Sequence, residues 1–302
     1  MDDDHISKQE LNEGFGRFIA RLQRAVEHRE SLEEYCQNES AVTVDFTANE
    51  NSVIVSVRQS EPIPPVGSTI LSDWLHQVRS ALDGAFYTLA ALETGSYPPS
   101  RARTRTFPIR ATRAEFDQMI ASDSNPTRGM TASTVEKIER AQPYNGKYGA
   151  DGDSLLWIHN MARIDRHRHS FDLALRILPD EKNCINFHPS SPRPVSVAAG
   201  PENAILSVDN DTVFATIEYE SAETAHRALR ESWIKPNFMF GMEAAEWYED
   251  AVAKNLSKNI RNDSLTTRMR FCEWFVSAMV KMLSDRVTIE QLHIPDWINV
   301  GD

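Results

Sequence analysis

The sequence predicts an α+β fold in which long helices are combined with short antiparallel strands. Apolar residues recur every three to four positions in several long segments, which is typical of amphipathic helices. In shorter segments apolar and polar residues alternate, which is typical of half-buried strands. The chain has 302 residues, of which 41% are hydrophobic and 25% are charged, so it can bury a sizeable core and is not a disordered or low-complexity chain.

The N-terminal helix and the hairpin after it are predicted from their different periodicities. Ser7 begins a capping-box motif, and apolar residues at helical spacing follow to about residue 37. Strict alternation at 42–46 and again at 53–57 predicts a β-hairpin with one buried face. Three prolines within 61–65 end the hairpin, because proline continues neither a strand ladder nor a helix.

The remaining elements follow from the same two patterns. A long helix from about Ser68 to Leu92 has its apolar residues within one arc, so this stripe is expected to be buried. The segment 142–146 contains Pro and Gly and is expected to be a break. The further helices are expected at 113–121, 133–141, 153–169, 221–232, 243–260 and 264–284, and the further strands at 171–178, 184–187, 194–198, 204–208 and 213–219.

We expect a single α+β domain over residues 1–302. The long helix, the 153–169 helix and the C-terminal helix are expected to form a helical core, on which the hairpin and a small antiparallel sheet pack. In chain order the parts are the N-terminal helix with the hairpin (1–60), the helical core (61–170), the antiparallel sheet (171–220) and the C-terminal helices (221–302).

The charge balance excludes several classes of protein. The 44 acidic side chains outnumber 32 basic ones, which gives a net charge of −12, and this argues against binding duplex DNA or an anionic membrane over a wide surface. The sequence has neither a run of about 20 apolar residues nor a signal-peptide pattern, so we expect a cytoplasmic protein. Three cysteines without CxxC spacing predict buried thiols rather than disulfides or a zinc site.

A polar stripe runs along the long helix beside its apolar stripe. As a functional site, Arg79 would bind an anion, Asp83 would orient it through an i,i+4 ion pair, and His76 would transfer protons near neutral pH. Alternatively, the stripe is a partly buried ladder of ion pairs and hydrogen bonds that fixes the helix against its neighbours. The stripe consists of Ser72, His76, Arg79, Asp83 and Tyr87.

The helix over 153–169 carries a second polar cluster, and one of its faces is expected to meet solvent, a carboxylate or a phosphate. On the opposite side, Asp165 and His169 are expected to form a buried i,i+4 contact. His167 and His169 point about 200° apart on a helix and cannot hold one metal ion together, so no metal site is expected. The polar face consists of His159, Asn160, Arg163, Arg166 and His167.

Five arginines follow the long helix within 101–113. They predict an arm that binds RNA or nucleotide phosphate, with Arg103 and Arg105 as binding residues and Phe107 available for stacking. Alternatively, the segment is a solvated loop whose arginines pair with acidic neighbours. The best-known hydrolase, zinc-protease, P-loop and Rossmann motifs do not occur in the sequence.

Four short motifs between residues 8 and 170 resemble those of a group of uncharacterised bacterial proteins. The motifs are Leu75–Asp83, Thr106–Ile109, Gln142–Tyr144 and Ile164–Arg168. The first also resembles the R-x4-6-H motif of HEPN helical domains, many of which are ribonucleases or toxins that work as dimers without metal. In such enzymes an arginine neutralises the scissile phosphate and a histidine moves the proton of the ribose 2′-OH.

The resemblance implies a HEPN-like homodimer that binds RNA or nucleotide phosphate without a cofactor. Arg79 matches the motif arginine, but Gly84 occupies the position of the histidine, so catalysis is expected to be degenerate. His76 and His167 are the candidates to replace that histidine. A non-catalytic scaffold protein is the alternative function, and a metal-dependent hydrolase is a more distant one. The implied catalytic residues are His76, Arg79 and His167, and the binding residues are Asp83, Tyr87, Arg163, Arg168, Arg103 and Arg105.

Overall fold

The computed structural model describes residues 8–36, 41–167, 171–179, 184–201, 203–254, 256 and 261–284, and it confirms the predicted α+β fold. The helices are α1 Lys8–Cys36, α2 Pro65–Thr94, α3 Arg113–Ala121, α4 Ala132–Arg140, α5 Ser154–His167, α6 Ala222–Arg230, α7 Ala245–Ala253 and α8 Leu265–Leu283. The strands are β1 Val42–Asn49, β2 Ser52–Gln59, β3 Leu173–Ile177, β4 Cys184–Phe187, β5 Ser196–Ala199, β6 Thr212–Glu218, β7 Ile234–Asn237 and β8 Phe240–Ala244.

The helices lie close to their predicted positions, with two corrections at their starts. Helix α2 begins at Pro65, three residues before the predicted start, because proline lacks only an N–H that the first turn of a helix leaves unused. The helix predicted over 243–260 begins at Ala245, since Glu243 and Ala244 belong to strand β8. The capping-box residue Ser7 lies outside the described residues.

The sheets differ from the prediction. The hairpin is not separate from the later strands: β2 pairs with β6, which gives a four-stranded antiparallel sheet in the order β1-β2-β6-β5. The strand predicted at 204–208 is wrong, because this stretch makes only an isolated bridge from Ile205 to Arg176. Strands β7 and β8 were not predicted, and they pair with β4 and β3. Strand β7 contains Pro236, a residue that weakens any strand pattern.

The chain divides into two compact units, and each unit combines segments that are far apart in sequence. The first contains residues 1–30, 69–170 and 267–302, and the second contains residues 31–68 and 171–266. The single domain over residues 1–302 stays a prediction.

The core of the first unit is helical, as predicted. The rings of Trp74 on α2 and Trp157 on α5 lie 6.0 Å apart, and the buried Cys272 of α8 has its Sγ 4.0 Å from the carbonyl oxygen of Ser154. Burial raises the pKa of the Cys272 thiol. The predicted burial of cysteine is therefore confirmed for Cys272. It is wrong for Cys184, which is exposed on the short strand β4, and the side chain of Cys36 lies outside the described residues.

The second unit is built around the four-stranded sheet. Side chains of β2 and β6, such as Val53 and Ile217, pack with buried residues of α6 in one apolar cluster. On β3 and β8, the buried side chains of Arg176 and Glu243 approach to 3.4 Å, and the Arg176 guanidinium lies 4.6 Å from the ring centre of Tyr248. Such a buried pair is stable only where further polar contacts surround it.

Helix α5 is preceded by a carboxyl group that titrates unusually high. Asp153 Oδ1 accepts a hydrogen bond from the N–H of Leu155 at 2.8 Å, as an N-cap residue does. Burial nevertheless raises the pKa of Asp153 to about 6, against the opposing effect of the backbone N–H groups of Leu155 and Leu156. The folded state therefore holds the proton of Asp153 more tightly than the unfolded chain does.

The first prediction is that Asp153→Asn stabilises the protein at pH 7. The pKa of Asp153 is about 6 in the folded state and 3.8 ordinarily, so the protonated carboxyl group contributes to the stability of the fold. This contribution is fully present below about pH 4 and is lost as the pH rises through 6. Asparagine caps a helix as well as aspartate and carries no charge, so we expect a gain of about 2 kcal/mol at pH 7.

Urea unfolding at pH 4.5 and at pH 7 measures this gain. The difference in unfolding free energy between the variant and the wild type is expected to grow with pH. The exposed Asp151, changed to Asn, serves as a control and should show no such growth. An Asp153→Asn variant that is no more stable than the wild type at pH 7 would contradict the raised pKa of Asp153.

Candidate functional site

The centre of the candidate site is the ion pair between Arg79 and Asp83 on α2. Arg79 Nε lies 3.1 Å from Asp83 Oδ2, and Arg79 Nη2 lies 2.9 Å from Asp83 Oδ1. Both residues also hold the segment that follows α2: Arg79 Nη2 donates to the carbonyl oxygen of Phe107 at 2.8 Å, and the N–H of Phe107 donates to Asp83 Oδ1 at 2.9 Å. The i,i+4 ion pair expected from the spacing is present, and its two-point geometry orients the guanidinium.

Two further arginines, Arg110 and Arg166, act electrostatically on this pair, and Arg163 lines the groove described below. Arg110 comes from the segment after α2, and Arg163 and Arg166 come from α5. Burial lowers the pKa of the Arg79 guanidinium, Asp83 opposes this, and the charges of Arg166 and Arg110 lower it further. Arginine still keeps its charge at neutral pH, because its ordinary pKa is so high.

The same burial acts on the carboxyl group of the pair. It raises the pKa of Asp83, while the guanidinium of Arg79 and the N–H of Phe107 lower it. Two donors in contact with one carboxyl group favour its ionised form. Arg79 and an ionised Asp83 together carry no net charge, so the pair does not offset the charges of the other arginines.

A groove of about 550 Å³ opens between the segment after α2, helix α3 and helix α5. Arg110 and Arg163 contribute its positive charges, and Glu115 contributes a carboxylate that accepts hydrogen bonds from the N–H groups of Ala111 and Thr112 at 3.0 and 3.2 Å. The lining residues are Ile109, Arg110, Ala111, Glu115, Gln118, Met119, Ser122, Ser124, Leu156, His159, Asn160 and Arg163.

His159 lies in this groove as a neutral imidazole. Burial lowers its pKa to about 4, and the charges of Arg79, Arg110, Arg163 and Arg166 lower it further. At neutral pH the ring therefore offers one hydrogen-bond donor and one acceptor without adding a charge. Of these four arginines, Arg110 and Arg163 line the groove.

One nitrogen of the Arg79 guanidinium makes no hydrogen bond within the described residues. This atom, Nη1, is buried. Buried donors of a charged group are costly when left without an acceptor. A water molecule or a ligand oxygen would satisfy this donor.

The other residues of the polar stripe make different contacts. His76 is exposed, and its Nε2 lies 3.5 Å from Ser80 Oγ. The ring of Tyr87 packs against that of Tyr97, with centres 6.2 Å apart. Ser72 donates a hydrogen bond to the carboxylate of Asp165. These three residues do not line the groove. Within the polar stripe, Arg79 and Asp83 belong to the candidate site, whereas the other three residues make contacts elsewhere.

The arginines of the segment after α2 also differ in their environments and contacts. Arg105 is buried and donates to three backbone carbonyls, those of Ser100, Pro126 and Arg128, so its charge serves the local fold. Arg103 is exposed in a short turn outside the groove. Arg110, which the sequence did not single out as a binding residue, is the member of the series that lines the groove.

Part of the predicted site lies outside the described residues. This applies to Arg168, to His169 and to the side chain of His167. The expected pocket that joins Arg79 to His167, and the expected contact of Asp165 with His169, therefore stay predictions.

The packing around position 84 explains why glycine is found there. A Cβ atom at this position would lie 2.3 Å from Cε1 of Phe18 on α1, a distance that real Cβ atoms do not show. The close contact between helices that glycine permits is therefore present, and the position of the motif histidine faces a packed ring.

The sequence missed two members of the site, Arg110 and His159, although it contained a signal for both. Arg110 belongs to the arginine-rich segment, and His159 shares a predicted helix face with Arg163. What the sequence could not give is the path of the segment after α2, which brings that segment beside α5.

Two absences concern the described part of the chain. Its side chains contain no group of three or more His, Cys, Asp or Glu residues that could hold a metal ion. None of its helices is long and apolar enough to cross a membrane.

Comparison with protein-family models, with curated proteins and with solved structures gives no significant match to this chain.

Proposed function

We propose that this chain binds the phosphate group of a nucleotide in the groove between α3 and α5. The observation that carries the proposal is that two guanidinium groups, those of Arg110 and Arg163, line one groove in a protein whose net charge is −12 and have no ion-pair partner within the described residues. Like charges repel one another, so such a cluster is costly unless an anion offsets it. Arginine forks match the geometry of phosphate oxygens.

The ion pair on α2 does not offset the cluster. Asp83 contacts Arg79, whereas neither Arg110 nor Arg163 forms an ion pair within the described residues. A purely structural network would pair these two arginines, as Arg113 is paired with Asp117 on the same helix and with Glu139 on α4. The unpaired state of the groove arginines favours the binding interpretation.

The size and lining of the groove favour a ligand of nucleotide dimensions. A volume of about 550 Å³ lies within the usual range for small-molecule sites. Ile109, Met119 and Leu156 supply apolar surface for a base, while Asn160 and neutral His159 supply hydrogen bonds. A net charge of −12 disfavours a long polyanion, so a nucleotide fits better than an extended RNA strand.

Of the expectations from the HEPN resemblance, this proposal keeps only phosphate binding. A HEPN-like origin would account for the arginine at position 79. If the ligand is RNA, a single nucleotide of it would occupy the groove. The homodimer and the cytoplasmic location stay predictions. The histidine positions that the motif suggests for cleavage do not supply the groove, since Gly84 carries no imidazole and His76 lies outside the groove.

The second prediction tests the proposal with Arg163→Glu. Isothermal titration with adenosine 5′-monophosphate at low ionic strength should detect binding to the wild type. Charge reversal at Arg163 should weaken it at least tenfold, because a hydrogen bond to a charged group contributes about 1.5–3 kcal/mol and repulsion adds to this. Arg103→Glu, an equal change of charge at an exposed arginine outside the groove, should change affinity less than twofold.

The contrary outcomes are distinct. If the wild type does not bind adenosine 5′-monophosphate at about 10 mM, the nucleotide proposal is wrong. Equal losses in the two variants would mean that net charge, rather than the groove, governs binding. If a five-nucleotide RNA binds more than a hundredfold tighter than the mononucleotide, the ligand is an RNA strand.

A further inference from the structure

Strand β5 forms one edge of the four-stranded sheet in the second unit, whereas the groove lies in the first unit. One side of β5 pairs with β6, and in the described part of the chain no strand lies along its other side. All four of its residues, Ser196–Ala199, are exposed. A free edge presents unpaired N–H and C=O groups on which another strand can pair.

The direction of the backbone groups on β5 follows from its ladder with β6. Gly200, directly after the strand, donates its N–H to the carbonyl oxygen of Phe214 on β6 at 2.7 Å. In an antiparallel pair, residues that bond to the partner strand alternate with residues that do not. The backbone groups of Ala198 therefore point toward β6, and those of Val197 and Ala199 point away from it. Neither Val197 nor Ala199 makes a backbone hydrogen bond outside the sheet within the described residues.

Nothing in the sequence of β5 protects this edge. Natural proteins usually guard a free edge with a charged side chain or a proline in the strand. The other edge strand, β1, carries Asp45, but Ser196–Ala199 contains neither a charge nor a proline. Prolines lie only beyond its ends, at positions 194 and 201, and they limit the contact to this short strand.

We propose that β5 pairs with β5 of a second copy of this chain, so that the two four-stranded sheets join into one continuous sheet. An edge strand that pairs with its own copy across a two-fold axis perpendicular to the sheet runs antiparallel to it. Two copies of a chain with a net charge of −12 repel each other, so they approach most easily through an uncharged surface. The contact does not depend on the proposed nucleotide site.

The outward-pointing groups fix the register of the contact. When Val197 lies opposite Ala199 of the second copy, every outward N–H of both strands meets an outward carbonyl oxygen. Ala198 then lies at the two-fold axis, opposite Ala198 of the second copy, with the two Cα atoms about 4.5 Å apart. The larger Val197, which is 46% exposed, meets a smaller side chain and gains apolar cover.

The third prediction is that the charge at position 198 controls dimer formation. In sedimentation equilibrium, the mass of the wild type should rise toward twice that of one chain as the concentration reaches about 0.5 mM, the range of a weak interface. Ala198→Glu should weaken the dimer about tenfold, and so should Ala198→Lys, because like charges then lie directly opposite each other. An equimolar mixture of the two variants should restore the dimer, because opposite charges then meet at the axis.

A control and a second readout locate the contact. Thr47→Glu adds the same charge at an exposed position of β1, the other edge, and should change dimer affinity less than twofold. Urea unfolding of each variant verifies its fold. In amide hydrogen exchange of the wild type by NMR, the N–H groups of Val197 and Ala199 should become protected as concentration rises. The N–H of Ala198, which already points to β6, should change less.

Several results would overturn the inference. One is a wild type that stays monomeric at about 0.5 mM, which would leave β5 to another occupant. Equal losses in Ala198→Glu and Thr47→Glu would show that net charge governs association, and a monomeric mixture of Ala198→Glu with Ala198→Lys would place the contact elsewhere. If the variants do not fold, the exchange of Val197 and Ala199 in the wild type decides, since a dimer that leaves both N–H groups unprotected does not use β5.

Discussion

Replacing Glu273 by alanine is expected to lower the free energy of unfolding by about 3–5 kcal/mol, the usual cost of breaking a buried ion pair from one side. The Glu273 side chain on α8 and the Arg29 side chain on α1 are each only 7% exposed. Arg29 Nε lies 3.2 and 3.0 Å from the two carboxylate oxygens, and Trp74 Nε1 on α2 donates to Oε1 at 2.8 Å. Alanine would leave the buried guanidinium without this carboxylate and the indole N–H without this acceptor.

Urea unfolding at pH 7 measures the loss. Glu136→Ala is the matched control, because the ion pair of Glu136 with Arg140 has a similar N–O distance of 3.3 Å but is 66% and 58% exposed. Such surface pairs contribute about 0–1 kcal/mol. Glu273→Gln keeps an acceptor for Trp74 and should cost less than alanine. If Glu273→Ala and Glu136→Ala lose equal stability, α8 does not depend on this carboxylate.

The position of Glu273 shows where prediction from the sequence ends. The helices α1, α2 and α8 were predicted because their apolar periodicity is a local property of each segment. The contact of Arg29 with Glu273 joins residues that are 244 positions apart, and no local pattern encodes it. In the sequence, the contact is indicated only by the presence of the charged Glu273 among the apolar residues of α8.

The strands show the same limit. The alternation in β1 and β2 predicted the hairpin, since its partners are adjacent in sequence. The pairing of β2 with β6 spans about 160 residues and was missed, because alternation defines a face of a strand and does not name its neighbour. Strand β8 was not predicted, and its last two residues were assigned to the helix that follows it, because Phe240–Ala244 is too short for its period to stand out.

The candidate site was predicted in pieces rather than as a whole. Arg79 and Asp83 were recognised because an i,i+4 pair is visible in sequence, and the face containing Arg163 was recognised by helical projection. Their union with Arg110 depends on the segment after α2, which is held by hydrogen bonds from Arg105 to backbone carbonyls and from Arg79 to Phe107. Carbonyl groups are present at every residue, so the sequence does not show which ones an arginine will contact.

The second large effect is expected at Gly84. The substitution Gly84→His writes the R-x4-H spacing into α2, and we expect it to destabilise the fold without creating ribonuclease activity. Its Cβ would lie 2.3 Å from Cε1 and 2.9 Å from Cδ1 and Cζ of Phe18, before any ring atom is added. Overpacking of this kind costs about 1–3 kcal/mol, and more when a whole ring must fit. The measurements are urea unfolding and cleavage of a ribo-oligonucleotide in the presence of a chelator.

The cause can be isolated with alanine. Glycine to alanine inside a helix normally gains about 1 kcal/mol, and Gly16→Ala on α1 should show that gain because a Cβ there meets nothing within 4 Å. Gly84→Ala should instead lose stability. In a Phe18→Ala background the loss should become neutral or a gain, since the ring that meets the new Cβ is gone. If Gly84→Ala is stabilising in the wild type, or Gly84→His cleaves RNA, position 84 is open and the contact with Phe18 does not explain why the motif histidine is missing.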